Sequence, residues 1–148
     1  MSLATDITAE LIKRFEGFSS RPYLCPAGVP TIGFGATYYR DGTRVTLHDA
    51  PISRDEAYAL LVWMVETVYL PDVLKLCPGL DTQQRTAALA DFCYNLGSSR
   101  LKPSTLRRRV NDGRWGDVPT ELRKWNKGGG RVLPGLAMRR EAEVQLVL

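Results

Sequence analysis

The sequence predicts an α+β fold: a short N-terminal helix, a small antiparallel β-lobe, then a helical lobe. Two observations carry this. Apolar residues recur at helical spacing up to Phe15 and again from about residue 57, while the stretch between is rich in Gly, Pro, Tyr, Thr and Val. At 148 residues the chain is long enough for one domain with a sizeable core. We therefore expect a single domain over 1–148, with a β-lobe over about 17–50 and a helical lobe over about 53–148 joined by the N-terminal helix.

Ile7, Leu11, Ile12 and Phe15 predict a helix over about 6–16, stopped by Gly17, with Glu16 in its last turn. Thr31 to Tyr39 and Arg44 to Leu47 read as strands flanking the Gly-containing turn Arg40-Asp41-Gly42-Thr43. Ser53-Arg54-Asp55-Glu56 reads as a capping box, followed by Leu60, Leu61, Met64, Val65 and Val68; Pro71 ends or kinks that helix. Asp81 or Thr82 caps a second helix that carries Ala88, Leu89, Phe92 and Cys93 and stops near Gly97. Ser104 caps a third, closed by Asn111-Asp112-Gly113. A fourth is expected near Trp115 to Trp125, Gly128-Gly129-Gly130 breaks the chain, and Leu136 to Leu148 forms the last helix.

The formal net charge is +4, and much of the positive charge falls late, in Arg107-Arg108-Arg109, Arg123-Lys124, Lys127, Arg131 and Arg139-Arg140. Such a face suits polyanions, or is simply solvated. No nucleic-acid-binding motif accompanies it, so nucleic acid is not expected as a partner. The sequence holds no uninterrupted apolar run of about 18 residues, so no membrane insertion is expected. The start Met1-Ser2-Leu3 has no signal-peptide pattern and is compatible with a cloning remnant, in which case a natural anchor or signal could have been cut away. Cys25, Cys77 and Cys93 do not form a disulfide framework, and with His48 the only histidine no metal site or cofactor is expected. Cys93 reads as a core residue, Cys77 as part of a turn, Trp115 and Trp125 as core, and His48 and Asp41 as exposed.

Glu16 is the first candidate for chemistry. A carboxyl at a helix C-terminus meets the negative end of the dipole, and Phe15, Phe18 and Tyr23 could desolvate it. Both effects disfavour the ionised form and suit a general acid. The bland alternative is a surface glutamate paired with Arg14, Arg139 or Arg140.

Four ordered blocks decide between these. They are Glu16-Gly17 with Tyr23-Leu24-Cys25, Gly28 and Thr31-Ile32-Gly33-Phe34-Gly35-Ala36-Thr37; Ala87-Ala88-Leu89 through Asn95-Leu96-Gly97; Pro103-Ser104-Thr105-Leu106 with Asn111 and Gly113; and Trp125, Gly129-Gly130, Gly135-Leu136 and Arg139-Arg140-Glu141-Ala142-Glu143. Together they resemble the phage-type lysozymes, the endolysin muramidases of glycoside hydrolase family 24. The resemblance implies a lysozyme-like fold with a cleft between the lobes. It also implies cleavage of the β-1,4 bond between N-acetylmuramic acid and N-acetylglucosamine for phage release. The enzyme would be made in the host cytoplasm, act at the periplasmic wall on peptidoglycan glycan strands, and be a monomer.

The family's trio is a glutamate, an aspartate and a threonine. Glu16 matches the first and Thr31 the third, while Cys25 stands in the aspartate's place. The resemblance thus implies that Glu16 protonates the glycosidic oxygen, and that a water near Thr31 attacks with inversion, helped by the second residue. A thiol is a poor base, whereas a thiolate could activate water or attack. A thiol with the ordinary pKa of about 8.5 is only a few per cent ionised at neutral pH. Arg21 would favour the thiolate and a nearby Glu16 carboxylate would oppose it. Cys25 is therefore expected to serve as base, nucleophile or water-positioning group, or to mark a site that has lost function. Asn95 is expected to hold an N-acetyl group, and Arg139 to contact either substrate or Glu16. Two rival activities follow from the missing carboxylate: transglycosylase-like cleavage giving an anhydro-sugar, and wall binding without cleavage.

Overall fold

The computed structural model describes residues 2–148; Met1, the first residue of the stretch read as a cloning remnant, lies outside the described residues. The first helix, α1 (Leu3–Glu16), starts earlier than its apolar pattern indicates. Ser2 caps it, its hydroxyl accepting from the Thr5 amide at 3.1 Å. Gly17 ends it as expected, at φ 69°.

The β-lobe differs from the expected one. Strand β1 (Ser19–Leu24) pairs antiparallel with β2 (Pro30–Gly33), with a register irregularity between Ser19 and Tyr23. The predicted strand from Thr31 to Tyr39 does not run through. The chain folds back at Gly33-Phe34-Gly35, so that Ile32 and Ala36 exchange both backbone hydrogen bonds, at 2.8 and 2.9 Å. The expected hairpin around Asp41-Gly42 survives as one isolated bridge, Tyr38 to Arg44. Alternation alone could not show that two glycines at positive φ would reverse the strand.

The capping box at Ser53 forms in full and opens α2 (Arg54–Met64). Pro71 does not end the helix. A π-helical turn, Val65–Tyr69, leads straight into α3 (Leu70–Leu76). The wider turn accommodates a ring that lacks an N–H and would crowd the carbonyl four residues back. The continuous Arg54–Leu76 helix, 23 residues with a mean hydropathy of 1.4, thereby meets the length and composition of a membrane span. Glu66 and Asp72 interrupt its apolar run, which is why no uninterrupted run appears in the sequence. Its residues Leu61, Val65, Leu70 and Val73 lie in the core of this fold.

Thr82, rather than Asp81, caps α4 (Gln83–Leu96); Asp81 pairs with Arg85 instead. After it come α5 (Ser98–Leu101), which the sequence did not announce, and α6 (Thr105–Asn111), capped by Ser104. The fourth expected helix shortens to α7 (Val118–Arg123). The glycine break is a second hairpin: β3 (Lys127–Gly128) and β4 (Arg131–Val132) are joined by Gly129 and Gly130 at φ 61° and 80°. Two consecutive positive φ angles make the tight turn that glycine serves best. Finally α8 (Pro134–Val147) begins with proline in its first turn.

Helix α4 is the hub. Residues Thr86 to Cys93 are all buried, and it packs against α1, α3 and α8. Phe92 meets Trp125 edge-on at 5.4 Å, and Trp115 sits beneath the Arg85 guanidinium at 4.0 Å, so both tryptophans pack on the core. A second, smaller cluster of Ile32, Ala36, Val45, Leu60 and Met64 fastens the β-lobe to α2. Cys77 and Cys93 are buried free thiols, which burial pushes up to about 11 and about 12 respectively.

Candidate active site

Glu16 ends α1 where the β-lobe and the helical lobe meet, with a quarter of its side chain exposed. Arg139 of α8 donates from Nη1 to Glu16 Oε1 at 2.9 Å, so of the three arginines considered it is Arg139 that pairs. The other carboxylate oxygen faces the turn after β2. A Cβ on Gly35 would stand 3.1 Å from Glu16 Oε2 and 3.0 Å from the Tyr94 hydroxyl. Tyr94 in turn donates to the Phe34 carbonyl, tying α4 to that turn. Burial, then the Glu16 charge, push the Tyr94 phenol well up. The expected aromatic wall is only partly there. Phe15 lies against the guanidiniums of Arg14 and Arg139, and Phe18 packs on Phe34.

Cys25 opens the loop between β1 and β2. The loop is closed at its base by the Cys25 amide donating to the Val29 carbonyl at 3.0 Å, and by the Gly28 amide donating to Cys25 O at 2.8 Å. The thiol is partly exposed. Its pKa is lowered, first by the Val29 backbone amide, then by that of Ala27 and the Thr31 hydroxyl, against a smaller desolvation effect. The cause is local hydrogen bonding and not Arg21. Thr31 is buried, and its hydroxyl donates to the Val29 carbonyl at 2.9 Å. That hydroxyl has one proton, so it serves a thiolate only by releasing Val29. Tyr23 links the two halves: burial raises its phenol pKa, followed by the charges of Glu16 and of Cys25.

Arg139 is buried, with its donors directed into the protein rather than into the open cleft. Nε and Nη2 grip Asp91 at 3.0 and 2.8 Å in a bidentate pair, leaving Nη1 for Glu16. Burial opposes its charge, but the bonds and charges of Asp91 and Glu16 outweigh it and raise the pKa above the ordinary arginine value. Asn95, in the last turn of α4, accepts at Oδ1 from Arg140 Nη2 at 2.8 Å. Arg140 is itself held by Glu143 through Nε and Nη2, at 2.7 and 2.9 Å, and donates to the Trp125 carbonyl at 3.2 Å.

The structure thus gathers the predicted residues into two groups: Glu16 with Arg139, and Cys25 with Thr31. Asn95 enters through Arg140. Sequence reasoning passed over Asp91, Tyr94, Gly35 and Glu143 as site elements. Asp91 had a readable signal, a carboxylate inside the apolar run Ala87-Ala88-Leu89-Ala90-Asp91-Phe92-Cys93. A surface cavity of about 550 Å³ along α8, bordered by Arg14 of α1 and Arg123 of α7, touches these groups only at Arg140.

Chemically, the arrangement offers an anchored carboxyl with one oxygen turned to the β-lobe, and an acidified thiol beside a hydroxyl. Residues 13–143 match the phage lysozyme family model. The endolysin of Bacillus phage B103 is 35% identical over an alignment 150 positions long that covers 93% of this chain; the chain spans about half of that relative, 51% of its length. The solved endolysin from Escherichia coli O157:H7 phage FAHEc1 superposes with a TM-score of 0.86 at 30% identity, covering 100% of this chain and 94% of that one. The muramidase domain of SpmX from Asticaccaulis excentricus superposes at 0.80, also at 30% identity, over 95% of this chain and 94% of that one. With a lysozyme-like α+β fold and a family match over nearly its whole length, this chain belongs to the phage lysozyme family.

Proposed function

We propose that this protein is a peptidoglycan hydrolase of phage lysis, acting on the host cell wall from inside, and that it hydrolyses the β-1,4 bond between N-acetylmuramic acid and N-acetylglucosamine. The observation that carries this reading is the Glu16 carboxyl, clamped by Arg139 on one oxygen and turned toward the β-lobe with the other. Glu16 gives its proton to the glycosidic oxygen as the bond breaks. A water on the opposite face of the sugar, polarised by Cys25 and Thr31, attacks the anomeric carbon with inversion. The lowered thiol pKa supports a thiolate in that role, because a thiolate both accepts a proton and favours the positive charge that develops on the sugar. Arg139 serves by orienting Glu16, and Asn95, fixed by Arg140, binds an N-acetyl group of the substrate. The partner is the glycan strand, met as a monomer without metal or cofactor.

Digestion of purified walls, read by mass spectrometry of the released muropeptides, tests the proposal. Release of reducing muropeptides by the parent and none by Glu16→Gln is the expected result. Equal release by both variants removes Glu16 as the acid. Parent, Cys25→Ala and Cys25→Asp are compared in the same assay. A parent no faster than Cys25→Ala removes the thiol from the mechanism. One observation favours a second reading. A neutral or thiolate sulfur occupies the place of a carboxylate, so the substrate's own hydroxyl could attack in place of water. Products lighter by one water decide for that transglycosylase-like path.

A further inference from the structure

A cavity of about 380 Å³ lies outside the site described above, where the end of α3 meets α5 and α6. None of Glu16, Cys25 and Thr31 lines it. Its polar side chains are Asp72 and Lys75 of α3, Ser98 and Ser99 of α5, Lys102 just after α5, and Arg107 of α6. No ion pair among the described residues includes any of these three cations. Asp72, the one acid in the wall, accepts from the Ser98 hydroxyl at 3.3 Å. Three positive charges against one negative leave an excess of two.

Arg107 is fixed in place. Its Nε donates to the Leu76 carbonyl at 2.7 Å and its Nη1 to the Lys102 carbonyl at 3.0 Å. These bonds satisfy carbonyls at the end of α3 and after α5, a structural role in its own right. They do not neutralise the guanidinium. The negative end of the helix that closes at Leu76 offsets only about half a charge. The result is a rigid cation in the cavity wall with Nη2 still to be used.

We propose that this cavity is a binding site for a phosphate group. The donor set separates phosphate from carboxylate. A carboxylate is planar and is held best by two parallel bonds from one guanidinium. With Nε and Nη1 engaged on carbonyls, Arg107 has only Nη2 wholly free and acts as a single donor. A phosphate is tetrahedral, takes donors from several directions, and carries about −1.5 to −2 charges as an ester at neutral pH. Two ammoniums, which bind phosphate as point charges, one guanidinium nitrogen and the Ser99 hydroxyl line the cavity from three segments. Their excess of two positive charges matches a phosphate dianion. Asp72 is occupied with Ser98 and holds that part of the wall together. A lipid headgroup and a free phosphate present the same chemistry to these donors.

The test is an amide NMR titration of the whole chain with inorganic phosphate at neutral pH and low salt, beside malonate, a dicarboxylate of similar charge. Phosphate is expected to shift the amides of α5 and α6 to saturation, and malonate to bind at least about 10-fold more weakly. Lys75→Gln/Lys102→Gln removes two exposed ammoniums that make no ion pair, and should weaken phosphate about 10-fold, the size of two exposed charge contacts. Arg123→Gln/Lys124→Gln removes the same charge from the end of α7 and should bind as the parent does. Phosphatidylglycerol vesicles identify the source. Co-sedimentation with the parent but not with Lys75→Gln/Lys102→Gln assigns a lipid headgroup, and phosphate binding without vesicle binding assigns a free phosphate; either upholds the site. Malonate binding as tight as phosphate, equal weakening in both double variants, or no phosphate shifts at α5 and α6 overturns it. Binding is measured without cell walls, so a failure of the glycosidase reading leaves this site untouched.

Discussion

Replacing Gly35 by alanine puts a methyl group against both the Glu16 carboxyl and the Tyr94 hydroxyl. It acts in two ways. Gly35 has φ 91°, which L side chains adopt only with strain, at a cost of about 1–2 kcal/mol. The new Cβ would also meet Tyr94 Oη at 3.0 Å and Glu16 Oε2 at 3.1 Å, closer than ordinary contact, so both must retreat by a few tenths of an ångström. Glu16 is held on its other oxygen by a buried guanidinium and cannot simply swing away. Gly113 is the control: it has φ 69°, but an added Cβ there has nothing within 4 Å. Thermal unfolding by circular dichroism should show both variants losing roughly 2–8 °C, from about 1–2 kcal/mol of strain in a chain of this size. Wall lysis should separate them. Gly35→Ala should lose on the order of 10- to 100-fold in rate through a misplaced acid, while Gly113→Ala keeps the parent rate. A Gly35→Ala protein as active as Gly113→Ala would refute the placement of Glu16 against this turn.

Iodoacetamide at pH 7 should alkylate Cys25 alone, seen as one added group by mass spectrometry, because its pKa is lowered while Cys77 and Cys93 are buried and pushed up to about 11 and about 12. The rate of that alkylation should rise with pH to a midpoint below that of a free cysteine, since the lowered pKa makes the thiolate appear earlier; a midpoint at or above it contradicts the loop geometry. Ser53→Ala removes the side-chain half of the capping box, the bond from the Glu56 amide to Ser53 Oγ, and should cost about 1 kcal/mol in chemical denaturation. Arg139→Met leaves Asp91 buried without its partner and should cost about 3–5 kcal/mol, enough to unfold a marginal domain below 37 °C.

Much of the helical lobe was legible because its signals are local. Ser53, Thr82 and Ser104 cap helices as their side chains require, and Gly17 and Gly97 stop them. The β-lobe was less legible. Residues 31–39 alternate like a strand, yet the reversal at Gly33-Phe34-Gly35 is stabilised by contacts with α1 and α4 that lie far off in sequence. Pro71 reads as a helix end, but core packing on both sides of it favours a π-helical turn over a break.

The same division holds at the site. The order and spacing of Glu16, Cys25 and Thr31, with the downstream blocks, were enough to name the family and to single out Glu16 as the candidate acid, because a motif records which groups a short segment brings together. They could not say what surrounds those groups. Arg139 follows Glu16 by 123 positions and Asp91 by 48, so only the packing of α8 against α1 and α4 decides that one guanidinium serves both carboxylates. The thiol of Cys25 acquires its lowered pKa from amides of its own loop, whose direction depends on the hairpin closing. Chemical identity is written residue by residue. Electrostatic environment is a property of distances between segments, and those exist only once the chain has folded.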